Sequence, residues 1–87
     1  MIYLMVRHKV ADFPKWKAAY DAHRPARDAA GLREAHLLHS LDDPNELVLM
    51  FTAEDLKKAQ EFAASADLRE AMKNAGVIDK PDLYFLN

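Results

Sequence analysis

A short run that is apolar on both sides of a strand constrains the fold of this chain more than any other feature. Residues 46–52 read ELVLMFT, and they follow the turn signal Asp42-Asp43-Pro44-Asn45. Successive side chains of a strand point to opposite faces, so a strand that carries LVLMF is apolar on both of them. Such strands are usually central in a sheet and covered on both sides. The sequence therefore predicts a β-sheet with this strand in its interior.

The sequence predicts further strands and helices before and after this central strand. Pro25 lies too deep in the first helix for an undisturbed course, so that helix either kinks there or gives way to a second short helix near Arg24. The predicted elements are a strand over 2–10, helix between Asp12 and Gly31, a strand over 32–41, the central strand, a helix from Thr52 with Asp55 in a capping box, a short helix over 67–75 and a last strand over 83–86.

The order β-α-β-β-α-β predicts an α+β, ferredoxin-like fold in a single domain over residues 1–87. Right-handed crossovers place the strands in the order 4-1-3-2 in one antiparallel sheet, with the helices on one face. The other face would be open, yet Met5, Leu37, Val48 and Met50 must lie on one face or the other. An open apolar sheet face favours a partner. We therefore expect a twofold homodimer joined through its sheet faces.

Composition excludes several classes of function. The formal net charge of −2, with no basic run, argues against nucleic acid as the main partner. The absence of cysteine removes thiol catalysis, disulfides and Cys-based metal sites. The first residues, MIYLMVRHKV, carry three basic side chains where a secretion signal should be apolar, and no segment approaches the ~20 apolar residues of a membrane helix. We expect a cytoplasmic protein without a membrane partner.

The first helix carries a stripe that is unusual for a simple core. Phe13, Trp16, Tyr20, His23 and Arg27 are spaced by three or four residues and therefore share one helix face. The first three are ordinary packing residues, whereas His23 and Arg27 are costly to bury without a partner. A stripe of this composition indicates a pocket with polar groups at its edge.

Each of these side chains also has a purely structural interpretation. Trp16 and Tyr20 would serve equally well as core residues, and His23 could simply be exposed. Arg24 and Arg27 flank Pro25, and either could hold an anion or extend along the surface. His8, on the first strand, would meet the Trp16 end of the helix if its strand face points there, or it could be satisfied by backbone or water.

His36 is a further candidate. If the hairpin closes tightly around residues 43–44, His36 pairs roughly with Phe51 and could line the same cavity as His8. His36 and His39 are three residues apart on one strand and point to opposite faces, so they cannot ligate one metal together. No other spacing of His and carboxylate suits zinc, and we expect neither a metal nor a cofactor.

Much of the chain resembles small bacterial proteins of the dimeric α+β barrel superfamily, in the group similar to antibiotic-biosynthesis monooxygenases or cyclases. That superfamily includes cofactor-free oxygenases of aromatic polyketides, haem-degrading enzymes, lactone isomerases and stress-response proteins. The resemblance is carried by Val6-Arg7-His8-Lys9-Val10, Asp12-Phe13, Trp16, Tyr20-Asp21, His23, Ala30-Gly31, Asp42-Asp43-Pro44-Asn45-Glu46, Leu68-Arg69-Glu70-Ala71-Met72, Ala75-Gly76-Val77 and Pro81-Asp82.

The resemblance implies a fold more firmly than a reaction. The haem-degrading members use a histidine of the second helical region, and residues 53–75 contain none, so haem ligation in that manner is not expected. The resulting hypothesis is a small-molecule-binding protein, a cofactor-free monooxygenase or an isomerase or cyclase for an aromatic or planar substrate. His8 and Arg27 would be catalytic, as base and anion holder. Trp16, Tyr20, His23, Arg24 and His36 would bind the substrate. The alternatives are a non-catalytic ligand-binding or stress-associated dimer, or a purely structural dimer.

Overall fold

The computed structural model describes all 87 residues, and it contains four strands and four helices. Their bounds are β1 (Ile2–Lys9), α1 (Phe13–Ala22), α2 (Arg24–Ala29), β2 (Leu32–His39), β3 (Glu46–Ala53), α3 (Leu56–Ala63), α4 (Ala66–Asn74) and β4 (Asp82–Leu86). The strands form one antiparallel sheet in the order β2-β3-β1-β4. This is the predicted order 4-1-3-2, and the predicted α+β, ferredoxin-like fold is confirmed.

The central strand has the alternation that its sequence predicts. Leu47, Leu49 and Phe51 are buried on the face that the helices cover, whereas Val48 and Met50 are only half-buried on the opposite face. Pairing extends this pattern across the sheet, because residues opposite each other in a ladder share a face. Met5 therefore joins Met50 on the open face, and Leu37 joins Leu49 under the helices.

The helical segment after β1 divides in two, which decides between the alternatives that Pro25 left open. α1 ends at Ala22 and α2 begins at Arg24, with Pro25 in its first turn. Proline is tolerated in that turn because the N–H that it lacks would have no partner in the helix. The N-terminus of α1 is capped from a distance. The side chain of Asp12 makes no capping bond, and Asn45 Oδ1 accepts from the Phe13 N–H at 3.2 Å instead.

The predicted helix start at Thr52 is wrong. β3 continues through Thr52 to Ala53, because Ala53 pairs with Ile2 on one side and with Leu32 on the other. α3 starts at Leu56, and Asp55 is its N-cap, with a side-chain oxygen that accepts from the Lys58 N–H at 3.1 Å. Ladder bonds to two neighbouring strands outweigh the weak capping signal of the local sequence.

An irregularity in β2 changes which side chains face the helices. Glu34 lies opposite Phe51 and His36 lies opposite Met50, so Ala35 is an extra residue between them. Such a bulge displaces the alternation by one position from there on. At the start of the same strand, Gly31 has φ +74°, the left-handed conformation predicted for the residue that ends the preceding helix.

Candidate functional site

An apolar pocket lies between the helix-covered face of the sheet and the helices, and it encloses about 70 Å³. This space holds a few water molecules and is smaller than the roughly 300–1,000 Å³ of sites for drug-sized ligands. A larger molecule therefore requires the helices or their side chains to move. Three groups of residues line the pocket. The sheet contributes Leu4, Val6, His8, Leu32, Leu49, Phe51 and Leu83, and α1, α2 and the residue between them contribute Trp16, Ala19, Tyr20, His23 and Arg27. α3, α4 and the C-cap of α4 contribute Phe62, Ala63, Leu68, Ala71, Met72 and Ala75.

His8 is the most unusual residue of this pocket. It lies on the helix-covered face of β1, it is 2% exposed, and neither ring nitrogen has a hydrogen-bond partner. Burial lowers the pKa of its imidazole to about 4. The negative charge of Asp79 raises this pKa and the positive charge of Arg7 lowers it, and both effects are smaller than that of burial. The ring is therefore neutral near pH 7, with one N–H donor and one acceptor lone pair unused. Buried polar groups without partners are rare and call for an explanation.

Two aromatic rings of α1 form the wall beside His8. The Trp16 ring meets the His8 ring edge to face, with centroids 5.6 Å apart, and it stacks on Tyr20 at 4.7 Å. The Tyr20 hydroxyl donates to Glu34 Oε1 at 2.9 Å. Burial, and then this hydrogen bond, raises the pKa of Tyr20, so the phenol stays protonated. Trp16 and Tyr20 thus supply apolar surface next to the imidazole.

Arg27, and not Arg24, lies at the pocket. The guanidinium carbon of Arg27 lies 3.7 Å from the centre of the Tyr20 ring, and Nη1 donates to the Tyr20 backbone carbonyl at 2.7 Å. Arg27 is 8% exposed. Arg24, which was predicted to bind the substrate, does not line this pocket: its side chain is 75% exposed and lies near Asp28 one turn later, at 3.7 Å. The first residue of α2 points to solvent, whereas its fourth residue continues the stripe of α1.

His23 closes the pocket towards α3 and α4. Its ring stacks on Phe62 with centroids 5.9 Å apart, and Nε2 lies 3.3 Å from Asp67 Oδ2. The ring is half-buried and joins the end of α1 to the other pair of helices. His23 therefore lies at the edge of the pocket, between its interior and solvent.

His36 does not reach the pocket, so its predicted place beside His8 is wrong. The bulge at Ala35 places His36 opposite Met50, and not opposite Phe51 as the tight-hairpin register predicts. His36 is consequently exposed on the open face of the sheet. His39 lies on the other face, where its ring packs on Phe13 at 4.4 Å and Nδ1 bonds the Pro44 carbonyl oxygen at 2.8 Å.

Sequence reasoning missed the half of the site that α3 and α4 contribute. Phe62, Leu68 and Met72 belong to amphipathic stripes that predict core packing, and they line the pocket opposite Trp16. The predicted topology could have identified them, since the pair α1 and α2 and the pair α3 and α4 cover the same face of one sheet. No group of three or more His, Cys, Asp or Glu side chains lies close enough together to hold a metal ion.

The fold and the pocket together define a small ferredoxin-like α+β protein with a buried histidine between sheet and helices. The fold is shared with solved structures of antibiotic-biosynthesis-monooxygenase-like proteins. One from Bordetella bronchiseptica, provisionally named an antibiotic biosynthesis monooxygenase, has a TM-score of 0.77 at 21% identity, over 99% of this chain and 94% of that one. Another from Caulobacter crescentus, with the same provisional name, has a TM-score of 0.73 at 12% identity, over 98% and 86% of the two chains.

Proteins with other names share the same fold. An uncharacterised NIPSNAP domain protein from Burkholderia xenovorans has a TM-score of 0.67 at 13% identity, over 100% of this chain and 93% of that one. No protein-family model and no curated protein sequence matches the chain. At identities this low the likeness establishes the fold, and a reaction has to be argued from the site. No helix is long and apolar enough to cross a membrane.

Proposed function

We propose that this protein binds a small, largely apolar organic molecule in the pocket between sheet and helices, and that His8 is its polar contact. The observation that carries the proposal is the pair of unused nitrogens on an imidazole that is 2% exposed. A buried donor and acceptor without partners cost free energy, so their presence favours a role in holding a ligand. The stacked Trp16 and Tyr20 rings support an aromatic or planar ligand.

The second candidate function is catalytic, namely an isomerase or cyclase reaction. A neutral imidazole has a lone pair that can take a proton from a carbon next to a carbonyl group and return it elsewhere on the same molecule. Arg27 would stabilise the negative charge on the carbonyl oxygen. A pKa of about 4 makes His8 a weak base, so the reaction would require an acidic carbon or a nearby developing anion. A cofactor-free monooxygenase would begin with the same proton transfer and would in addition consume dioxygen.

We further propose that the protein acts as a homodimer and functions in the cytoplasm. The open face of the sheet carries Tyr3, Met5, Met50 and Tyr84, and Leu38 at the β2 edge is 53% exposed. A second copy packed on this face would remove these side chains from water. The absence of cysteine is compatible with a reducing compartment.

Binding can be tested with the fluorescence of Trp16, which is the only tryptophan and lines the pocket. The purified protein would be titrated with a quinone, a polyphenol, a small lactone and an aliphatic alcohol. We expect saturable changes for at least one class, lost in Ala71→Phe, which fills the pocket from α4, and weakened in His8→Leu. His39→Leu, which changes a histidine outside the pocket, should bind like the wild type. Equal binding by wild type and Ala71→Phe would contradict the proposal. Turnover, followed by substrate isomerisation or oxygen consumption, separates the two candidate functions.

A further inference from the structure

A groove with a positively charged rim opens beside the apolar pocket. It lies between α4 and the segment that leads into β4, and its volume is about 400 Å³. Three cationic side chains line it, namely Arg69 and Lys73, one turn apart on α4, and Lys80. The chain as a whole has a formal net charge of −2, so this cluster is a local exception.

The three cations are exposed and make no ion pair within the chain. None of them has a carboxylate oxygen within 4.0 Å, although six other basic side chains do. Asp79 also lines the groove, but its carboxylate is already engaged. Asp79 Oδ1 accepts from the Lys9 N–H at 2.8 Å, and Oδ2 accepts from Arg7 at 3.1 Å. Burial by itself raises the pKa of Asp79, yet the hydrogen bonds from Lys9 and Arg7 hold that pKa below its usual range.

The groove and the pocket share a wall. Ala63, Leu68, Met72 and Leu83 line both of them. Leu83 lies on the helix-covered face, opposite Val6, and is nevertheless 37% exposed, because the groove leaves it uncovered. An apolar surface, formed by these four shared side chains, thus runs from the cationic rim towards the interior.

We infer that the ligand of this protein is an amphiphilic carboxylate, whose anionic group binds Arg69, Lys73 and Lys80 and whose apolar chain or ring passes Met72 and Leu83 into the pocket. Carboxylates form charge-assisted hydrogen bonds with guanidinium and ammonium groups, and desolvation of the groove on binding strengthens them. The unpaired cations explain selection for an anion, and the shared apolar wall explains selection for an apolar tail. This inference rests on the proposed function, because it assigns the chemical class of the same pocket's ligand.

The test compares octanoate with 1-octanol, which have similar tails and differ in the charge of the head group. Both would be titrated into the full-length protein while Trp16 fluorescence is followed at low and high salt. We expect octanoate to bind about tenfold more tightly than octanol at low salt, with most of that difference lost at high salt. The triple variant Arg69→Ala/Lys73→Ala/Lys80→Ala should bind octanoate about as weakly as octanol and keep its affinity for octanol.

The control variant is Lys57→Ala/Lys58→Ala, which removes two exposed cations of α3 that line neither cavity. It should bind both probes like the wild type. Equal affinity for octanol and octanoate in the wild type would overturn the inference and leave the proposed pocket intact. Undiminished octanoate binding by the triple variant would also overturn it. If neither probe binds and the panel of neutral compounds fails as well, both the inference and the proposed function are wrong.

Discussion

The rings of His8 and Trp16 meet edge to face, with their centroids 5.6 Å apart and their planes inclined by 77°. This contact fixes the imidazole against apolar surface and leaves both of its nitrogens without a partner. A histidine so placed contributes little to stability that an aliphatic side chain could not supply.

Replacement of His8 by leucine should make the protein more stable. The substitution removes two unsatisfied polar atoms and keeps a similar volume, so we expect the free energy of unfolding to rise by about 1–2 kcal/mol. Urea denaturation at pH 7.5 measures the change. His39→Leu is the matched control, because Nδ1 of His39 bonds the Pro44 carbonyl oxygen and its removal should not stabilise. A loss of stability in His8→Leu would indicate that His8 has a structural partner.

The stability of the wild type should fall as the pH falls from about 6.5 to about 4. Burial lowers the pKa of His8 to about 4 in the folded state, whereas the unfolded chain binds this proton near pH 6.5. Between these values only the unfolded state is protonated at His8, which costs about 1.4 kcal/mol of folding free energy per pH unit. Below pH 4 this effect is complete. The free energies of unfolding of the wild type and of His8→Leu, plotted against pH, should diverge over that interval, since the other titrating groups are common to both. Parallel plots would contradict the lowered pKa of His8.

Arg27 should stabilise the junction of α1 and α2 through contacts that lysine cannot reproduce. Arg27→Lys keeps the charge but loses the planar stacking on Tyr20 and the fixed bond to its carbonyl oxygen, so we expect a loss of about 1–2 kcal/mol. Arg24→Lys, at an exposed site of the same helix, should change the free energy of unfolding by less than about 0.5 kcal/mol. Thermal or chemical denaturation checks both. Equal effects of the two substitutions would argue against a special role for Arg27.

A charge in the centre of the open sheet face should separate the proposed dimer. Met50 lies on the central strand β3, beside Met5 of β1. In Met50→Glu a buried carboxylate would face its own symmetry mate or apolar side chains, which is costly. Light scattering coupled to size-exclusion chromatography should then give the mass of one chain, and twice that mass for the wild type. Lys57→Glu, on the exposed face of α3, should leave the mass of the wild type unchanged. A wild type that already elutes as a monomer would refute the dimer.

The sequence was a good guide to the fold because its signals agree with one another. The LVLMF run identifies the central strand, and turn residues at 42–45 and at 31 separate the elements around it. Of the five residues in the predicted stripe, Trp16, Tyr20, His23 and Arg27 line one pocket, and Phe13 does not. What failed depended on tertiary hydrogen bonds. β3 extends past Thr52 because two neighbouring strands offer partners to Ala53, and no local pattern reports this.

The position of His36 could not be predicted for a related reason. Strand alternation assigns faces only while the count is unbroken, and the bulge at Ala35 has no sequence signal such as glycine or proline. Likewise, the contribution of α3 and α4 to the site depends on how this pair of helices packs beside α1 and α2 on the sheet. Apolar helix stripes indicate burial, and they do not distinguish a filled core from the wall of a cavity.

The bulge in β2 has a consequence for the comparison of this chain with its structural relatives. A protein whose second strand lacked the residue at position 35 would keep the same side chains facing inward, since Glu34 and His36 would then continue a regular ladder opposite Phe51 and Met50. An alignment that placed the gap after residue 39 instead would exchange the inner and outer faces of positions 36–39. It would then equate the solvent-facing His36 with an inward-facing position, and so suggest that His36 lines the pocket, which it does not. The correct gap therefore belongs at Ala35.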